Sequence, residues 1–121
     1  MCPGTMNCVI NDDRLRIVRE CYEAYVSGDR SVVERHMADD LVFSAPPDVG
    51  IGRATYFERC WPNSQSLSGF DYVRLVEAGG EVFVTYEATR TDGSRFRNTE
   101  VFGFDGEQIN RVEVYFGWDV E

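Results

Sequence analysis

At 121 residues the chain has room for one domain and for a core that needs no staples. Its residues are 43% hydrophobic and 13% aromatic, which fits a globular protein with either a dense core or an apolar cavity. A net charge of −9, from 12 basic and 21 acidic residues, argues against a phosphate-backbone partner, so no nucleic acid is expected.

Residues 1–10 carry Pro3 and Gly4 and no period, and read as a loose arm ahead of a single domain over residues 11–121. Asn11, Asp12 or Asp13 can cap a first helix and complement its N-terminal dipole. Leu15, Val18, Tyr22 and Tyr25 then recur at helical spacing, widened by Cys21 and Val26. Gly28 ends that helix as a left-handed cap. Asp29 or Ser31 starts the second helix, where Ser31 and Glu34 have capping-box spacing and Val32, Val33 and Met37 form the apolar side. Ala38-Asp39-Asp40 breaks it, Leu41–Ala45 is a short strand, and Pro46-Pro47-Asp48-Val49-Gly50 has the composition of a loop. A third helix runs from Arg53 to Trp61 and is closed by Pro62, with Asn63 to Ser66 as a linker.

The second half is a meander. Strands are expected at Phe70–Val76, Val82–Arg90, Arg95–Phe104 and Gln108–Trp118. Gly79-Gly80, Asp92-Gly93 and Asp105-Gly106 supply the turns, and Asp-Gly between β-rich runs is a strong hairpin signal. Helices first and an antiparallel meander second is an α+β pattern. Alternation puts Phe96, Asn98, Glu100, Phe102 and Phe104 on one face, with Val112, Val114, Phe116 and Trp118 on the matching face of the last strand. These aromatic-rich faces are expected to meet the helices.

The four cysteines form no CxxC pair and only one His is present, so no zinc site is expected, and no motif implies an organic cofactor. The start lacks a basic stretch followed by an apolar run, and no apolar stretch approaches the ~20 residues that span a bilayer. The expectation is a cytoplasmic protein with reduced thiols and no membrane partner. Cys21 and Cys60 fall at apolar helix positions and read as small core residues.

Glu100 is the leading site residue. A carboxyl walled by Phe96, Phe102 and Phe116 has its charged form disfavoured, so it can act as acid, base or hydrogen-bond donor. The competing readings are a structural acid paired with Arg97 or Asn98, or a solvated one. Asn98, two residues earlier on the same face, can orient Glu100 or meet a ligand oxygen. Tyr22, Tyr56, Tyr86 and Trp61 are candidates for polar-tipped cavity lining, with plain core as the alternative. Phe102, Val114 and Phe116 supply apolar lining. Asp48, in the Pro-Pro loop, is a weaker catalytic candidate. His36, near the end of its helix, suits a solvent or dipole role.

The ordered set Tyr25-x-x-Gly28-Asp29, Ala38-Asp39-Asp40, Phe102-x-Phe104-Asp105-Gly106 and Val112-Glu113-x-Tyr115-Phe116 resembles the NTF2-like superfamily, in its SnoaL-like and ketosteroid-isomerase-like branch. The resemblance spans residues 12 to 118. It implies a cone, the cystatin-like arrangement in which N-terminal helices pack on a curved antiparallel sheet, with a cavity at the wide end. It also implies a homodimer through the outer sheet face, which carries Arg111, Glu113 and Tyr115.

Ketosteroid isomerases use an Asp base and an oxyanion hole of Tyr and protonated Asp. By resemblance the base position is Ala45, which cannot take a proton. The Tyr position falls on Cys21, with Tyr22 one step off the face, and the protonated-Asp position falls on Glu100. Epoxide hydrolases of this fold hold a water with Asp, Arg and Asp, and the matching strands here carry Glu87, Thr89 and Val114, so that triad is absent. The resulting expectation is a cavity for a small, mostly apolar, oxygenated metabolite. It is either a cofactor-independent proton-transfer enzyme using Glu100 (isomerase, cyclase or dehydratase) or a non-catalytic binder or dimeric interaction protein.

Overall fold

The computed structural model describes residues 5–121, with side chains from Asp13 onward. Helix α1 spans Thr5–Ser27 and α2 spans Arg30–His36. Strand β1 is Met37–Ala45, β2 is Asp48–Gly52, and α3 is Arg53–Arg59, followed by a 3-10 helix at Trp61–Ser66. Strands β3 (Leu67–Ala78), β4 (Glu81–Arg90), β5 (Arg95–Asp105) and β6 (Gln108–Val120) complete the chain. The six strands form one sheet in the order β2-β1-β6-β5-β4-β3. Pairing is antiparallel throughout except between β1 and β6, which run parallel. The expected α+β architecture, helices on a curved sheet, is the observed one.

The inward stripe of α1 is Ile17, Val18, Cys21, Tyr22 and Ala24, whereas Val26, expected on it, is exposed. Gly28 adopts φ +78 and its N–H bonds to the Ala24 carbonyl at 2.8 Å, the expected left-handed cap. The helix begins at Thr5, so residues 5–10, expected as an arm, are its first turns, and residues 1–4 lie outside the described residues. Once a packed helix exists, each further turn adds backbone bonds without a new nucleus.

The capping box of α2 does not form. Asp29 is the N-cap residue, Ser31 donates back to its carboxylate at 2.6 Å, and Glu34 pairs with Arg30 at 3.0 Å. Residues 46–50 are not a loop. Pro46-Pro47 makes a two-residue turn between the Ala45↔Asp48 pair, and the chain returns as β2. Strand β1 starts at Met37, four residues before the expected start.

The meander follows the turn chemistry. Gly79 and Gly80 have φ +62 and +82 between the paired Ala78 and Glu81, a turn that needs positive φ at both positions. Val82, Val84, Tyr86 and Ala88 of β4 are buried against the helices, and Phe102 and Asn98 of β5 lie on the same side. Alternation fails near the end of β6. Asn98 pairs with Phe116 but Phe96 pairs with Asp119, so two residues, Gly117 and Trp118, stand opposite Arg97. Beside this bulge Trp118 is exposed at the rim of the cavity, where the Arg97 guanidinium lies over its ring, 5.2 Å from the centre. Among the described residues no helix is long and apolar enough to cross a membrane.

Candidate active site in the cone

Helix α1, strand β1, helix α3 and the inner faces of β3–β6 enclose a cavity of about 570 Å³. Glu100 stands on its sheet wall. The register places Glu100 opposite Val84 on one side and Val114 on the other, so its carboxyl rises from an aliphatic floor. Two phenols grip it. Tyr22 of α1 donates to Oε1 at 3.0 Å, and Tyr86 of β4 donates to Oε2 at 2.6 Å. The chain of bonds continues outward: Asn98 donates its amide N–H to the Tyr86 hydroxyl at 3.3 Å, and its carbonyl oxygen accepts the Gly117 N–H at 3.3 Å. Asn98 therefore orients Tyr86, and Glu100 is paired with neither Arg97 nor Asn98.

Among the described residues no cation contacts Glu100. Burial raises its pKa above the ordinary 4.5, against a lowering pull from the Tyr86 and Tyr22 hydroxyls. Burial and the adjoining Glu100 charge in turn push both tyrosines well above their ordinary value, so they remain donors. The arrangement is an acid that can exist neutral or charged, with each of its oxygens keeping room for one further hydrogen bond.

Other candidates divide. Phe102, Val114 and Phe116 line the cavity, Phe102 deep within it and Phe116 exposed at the rim. Tyr56 lines it too, and its hydroxyl is hydrogen-bonded to that of Tyr25. Asp48 reaches the cavity, with its Oδ1 paired to Arg59 at 2.7 Å. Trp61 is off the wall: its ring packs edge-on against Tyr25, centroids 4.8 Å apart, and fixes that tyrosine from behind. His36 ends α2 and bonds to Glu20 at 2.7 Å.

Tyr22 takes the inward place expected for Cys21, because the buried stripe of α1 is wide enough to hold both neighbours. Both Cys21 and Cys60 line the cavity as free thiols, and burial pushes them up to about 12 and about 11, so they stay protonated. The residue that sequence reasoning passed over is Tyr25, read there as core. Its spacing of three from Tyr22 was the signal, since positions i and i+3 share a helix face.

Of the epoxide-hydrolase positions, Glu87 faces away from the cavity and bonds Arg95 and Arg97 on the outer sheet face, with its Arg95 contact at 2.8 Å. No water-holding triad can be built from it. Among the described residues no three His, Cys, Asp or Glu side chains cluster as metal ligands.

A sequence model of the SnoaL-like domain matches residues 18–112. The chain belongs to the SnoaL-like family. No protein of curated function matches its sequence. Solved structures share the fold at low identity. An LEH-like epoxide hydrolase from M. tuberculosis is 19% identical, with a TM-score of 0.74 over 88% of this chain and 84% of its own. A ketosteroid-isomerase candidate from Kribbella flavida DSM 17836 is 17% identical, with a TM-score of 0.73 over 92% and 82%. An NTF2-like protein of unknown function from Burkholderia pseudomallei K96243 is 21% identical, with a TM-score of 0.64 over 87% and 91%. At such identities the likeness shows the NTF2-like fold alone. The three positions that the resemblance to ketosteroid isomerases singles out carry Ala45, Cys21 with Tyr22 beside it, and Glu100.

Proposed function

We propose that this SnoaL-like protein binds a small, mostly apolar, oxygenated molecule in its cone and moves a proton on it with Glu100, without a cofactor. One observation carries the reading. Among the described residues Glu100 is a carboxyl with no cationic partner, set between Val84 and Val114 and held by two tyrosine hydroxyls. An apolar residue would pack there at less cost, so the acid is retained against stability. A carboxyl whose pKa is raised above its ordinary value by burial is suited to general acid–base work.

The test is deuterium uptake at the α-carbons of 2-tetralone in D₂O, with the wild type and Glu100→Gln compared. The expected result is enzyme-dependent uptake that falls about a hundredfold or more in Glu100→Gln, the lower range of what a positioned acid–base group contributes. Equal uptake by both proteins contradicts the reading.

Ala45 favours a second reading, a non-catalytic small-molecule binder, because the family's usual base position is empty of acid. It would show as a ketone that raises the thermal midpoint without any uptake. The homodimer expected through the outer face, at Arg111, Glu113 and the exposed Tyr115, is likewise a proposal, to be checked by the mass of the protein in solution.

A further inference from the structure

Along β4 the residues Tyr86, Ala88 and Arg90 alternate onto one face, and Arg90 lines the cavity at the end of that stripe away from Glu100. Four residues of strand separate Arg90 from Tyr86, the phenol that holds Glu100, a span of about 13 Å between backbones. The half-buried Arg90 has a fixed backbone: its N–H bonds to the Ser94 carbonyl at 2.8 Å, and its carbonyl accepts the Gly93 N–H at 2.9 Å. Its guanidinium lies over the Phe96 ring, 4.3 Å from the centre, and Nη1 donates to Ser94 Oγ at 3.2 Å. A guanidinium carries five N–H donors, and that bond is the only one the Arg90 side chain makes among the described residues. The other two arginines of the cavity wall are matched, Arg59 by Asp48 and Arg97 by Glu87. No carboxylate pairs with Arg90 among the described residues. Asp92, the acid nearest in sequence, instead gives its Oδ1 to the Ser94 N–H at 2.9 Å and to the Ser94 hydroxyl at 2.6 Å. In a chain with a net charge of −9, Arg90 is thus a cavity cation that the protein's own acids leave unmatched.

We propose that Arg90 holds a carboxylate of the ligand, so that the cavity takes a small, mostly apolar carboxylic acid with its other end toward Glu100. This rests on the reading above that the cone takes a ligand and names the class of that ligand; it holds whether or not Glu100 moves a proton. A planar guanidinium presents paired N–H groups that match the two oxygens of a carboxylate. A phosphate suits the place less well. Its second charge has no second unmatched arginine on the wall to meet, and Asp119 on the wall and Asp92 beside Ser94 add negative charge nearby. The guanidinium is already stacked on Phe96, so little side-chain freedom is lost when the acid arrives. A neutral carboxamide of the same shape turns an N–H₂ group toward donors, which selects against it. The charge of the whole chain repels anions at long range, so a preference for an anion has to come from a local contact.

The probes are 6-carboxy-2-tetralone, an anion at neutral pH, and its neutral 6-carboxamide. Calorimetric affinities for both, and deuterium uptake from D₂O, are measured for the wild type, Arg90→Gln, Arg90→Lys and Glu100→Gln. The wild type should bind the carboxylate about tenfold more tightly than the carboxamide, the lower range for hydrogen bonds between charged groups. In Arg90→Gln that preference should vanish while the carboxamide affinity is kept. Arg90→Lys keeps the charge but not the fork, and its preference should fall between the two. Equal affinities for the two compounds in the wild type, a preference that survives Arg90→Gln, or binding of neither compound overturns the proposal. A carboxylate preference kept in Glu100→Gln, with uptake undiminished there, overturns the proton-transfer reading and leaves Arg90 its role. Should Arg90→Gln fail to fold, the salt dependence of the wild type decides. Raising the ionic strength from about 0.01 M to about 1 M shortens the screening length from about 30 Å to about 3 Å. A contact with the Arg90 guanidinium weakens as salt rises, so the carboxylate preference should shrink. Repulsion by the whole chain acts in the opposite sense, and a preference that grows or stays level with salt overturns the proposal.

Discussion

Tyr86 and Glu100 stand on neighbouring strands, one diagonal step apart, and meet hydroxyl to carboxyl at 2.6 Å on the inner face of the sheet. Tyr86 pairs with Asn98 and Glu100 with Val84, so the contact is set by the β4–β5 register and not by a flexible loop. A slip of one residue would turn Glu100 out of the cone. The position of the acid is therefore a property of the fold, and its chemistry can be altered one group at a time.

Glu100→Gln should stabilise the free protein at neutral pH. The native pKa is raised above 4.5, so the unfolded chain gives up its proton first as pH rises. Below 4.5 both states hold the proton and the two proteins should melt alike. As pH rises from there to the native pKa, the wild type loses about 1.4 kcal/mol per pH unit that the Gln variant keeps. Thermal midpoints from pH 4 to 8 check this. Parallel curves for the two proteins would contradict it.

Tyr86→Phe should push the Glu100 pKa further up, because the tyrosine O–H favours the charged carboxylate. It should also cost about 1 kcal/mol of stability, the usual net value of one such bond. The titration of Glu100 in the variant, compared with the wild type, reads the first effect and urea unfolding the second. A downward shift would mean that the hydroxyl serves the neutral acid instead.

Gly117→Ala should destabilise by about 1–3 kcal/mol, the range for a methyl forced into a filled space. An added Cβ would run into the carbonyl oxygen of Arg97, which is backbone and cannot swing away. Because the Gly117 N–H also holds Asn98, the substitution should loosen the Asn98–Tyr86–Glu100 chain. Urea unfolding gives the cost, and a cost near zero would place the bulge elsewhere.

On the outer face the sign is opposite. Arg97 and then Arg95 hold Glu87 below its ordinary 4.5, so its contribution is present above that value and is lost as pH falls through the lowered one. Glu87→Gln should flatten the acid side of the stability curve while leaving the neutral side's shape intact. Melting between pH 2 and 5 shows whether it does.

The fold was legible because its signals are local. The Gly79-Gly80, Asp92-Gly93 and Asp105-Gly106 turns fix the meander, and Gly28 fixes the end of α1. Glu100 was legible for the same reason, since alternation along β5 puts it on the face of the buried Asn98 and Phe102. What escaped depends on contacts between distant segments. Strand β2 follows a Pro-Pro turn whose composition is also that of a loop, and only pairing with β1 makes it a strand. The bulge at Gly117-Trp118 is invisible to a period of two. Tyr25 and Tyr56 are thirty-one residues apart, so their shared hydrogen bond has no sequence signature, and Trp61 differs from a lining residue only in which side of Tyr25 it meets.

The central claim is that Glu100 sits in the cone as an acid able to be neutral where ordinary carboxyls are charged. Its δ-carbon, labelled with ¹³C and assigned by its absence in Glu100→Gln, reports the charge directly in an NMR titration. The account gives a midpoint clearly above 4.5, moving further up in Tyr86→Phe. A midpoint at or below 4.5 would show a permanently charged, structurally held carboxylate and would contradict the proposed role.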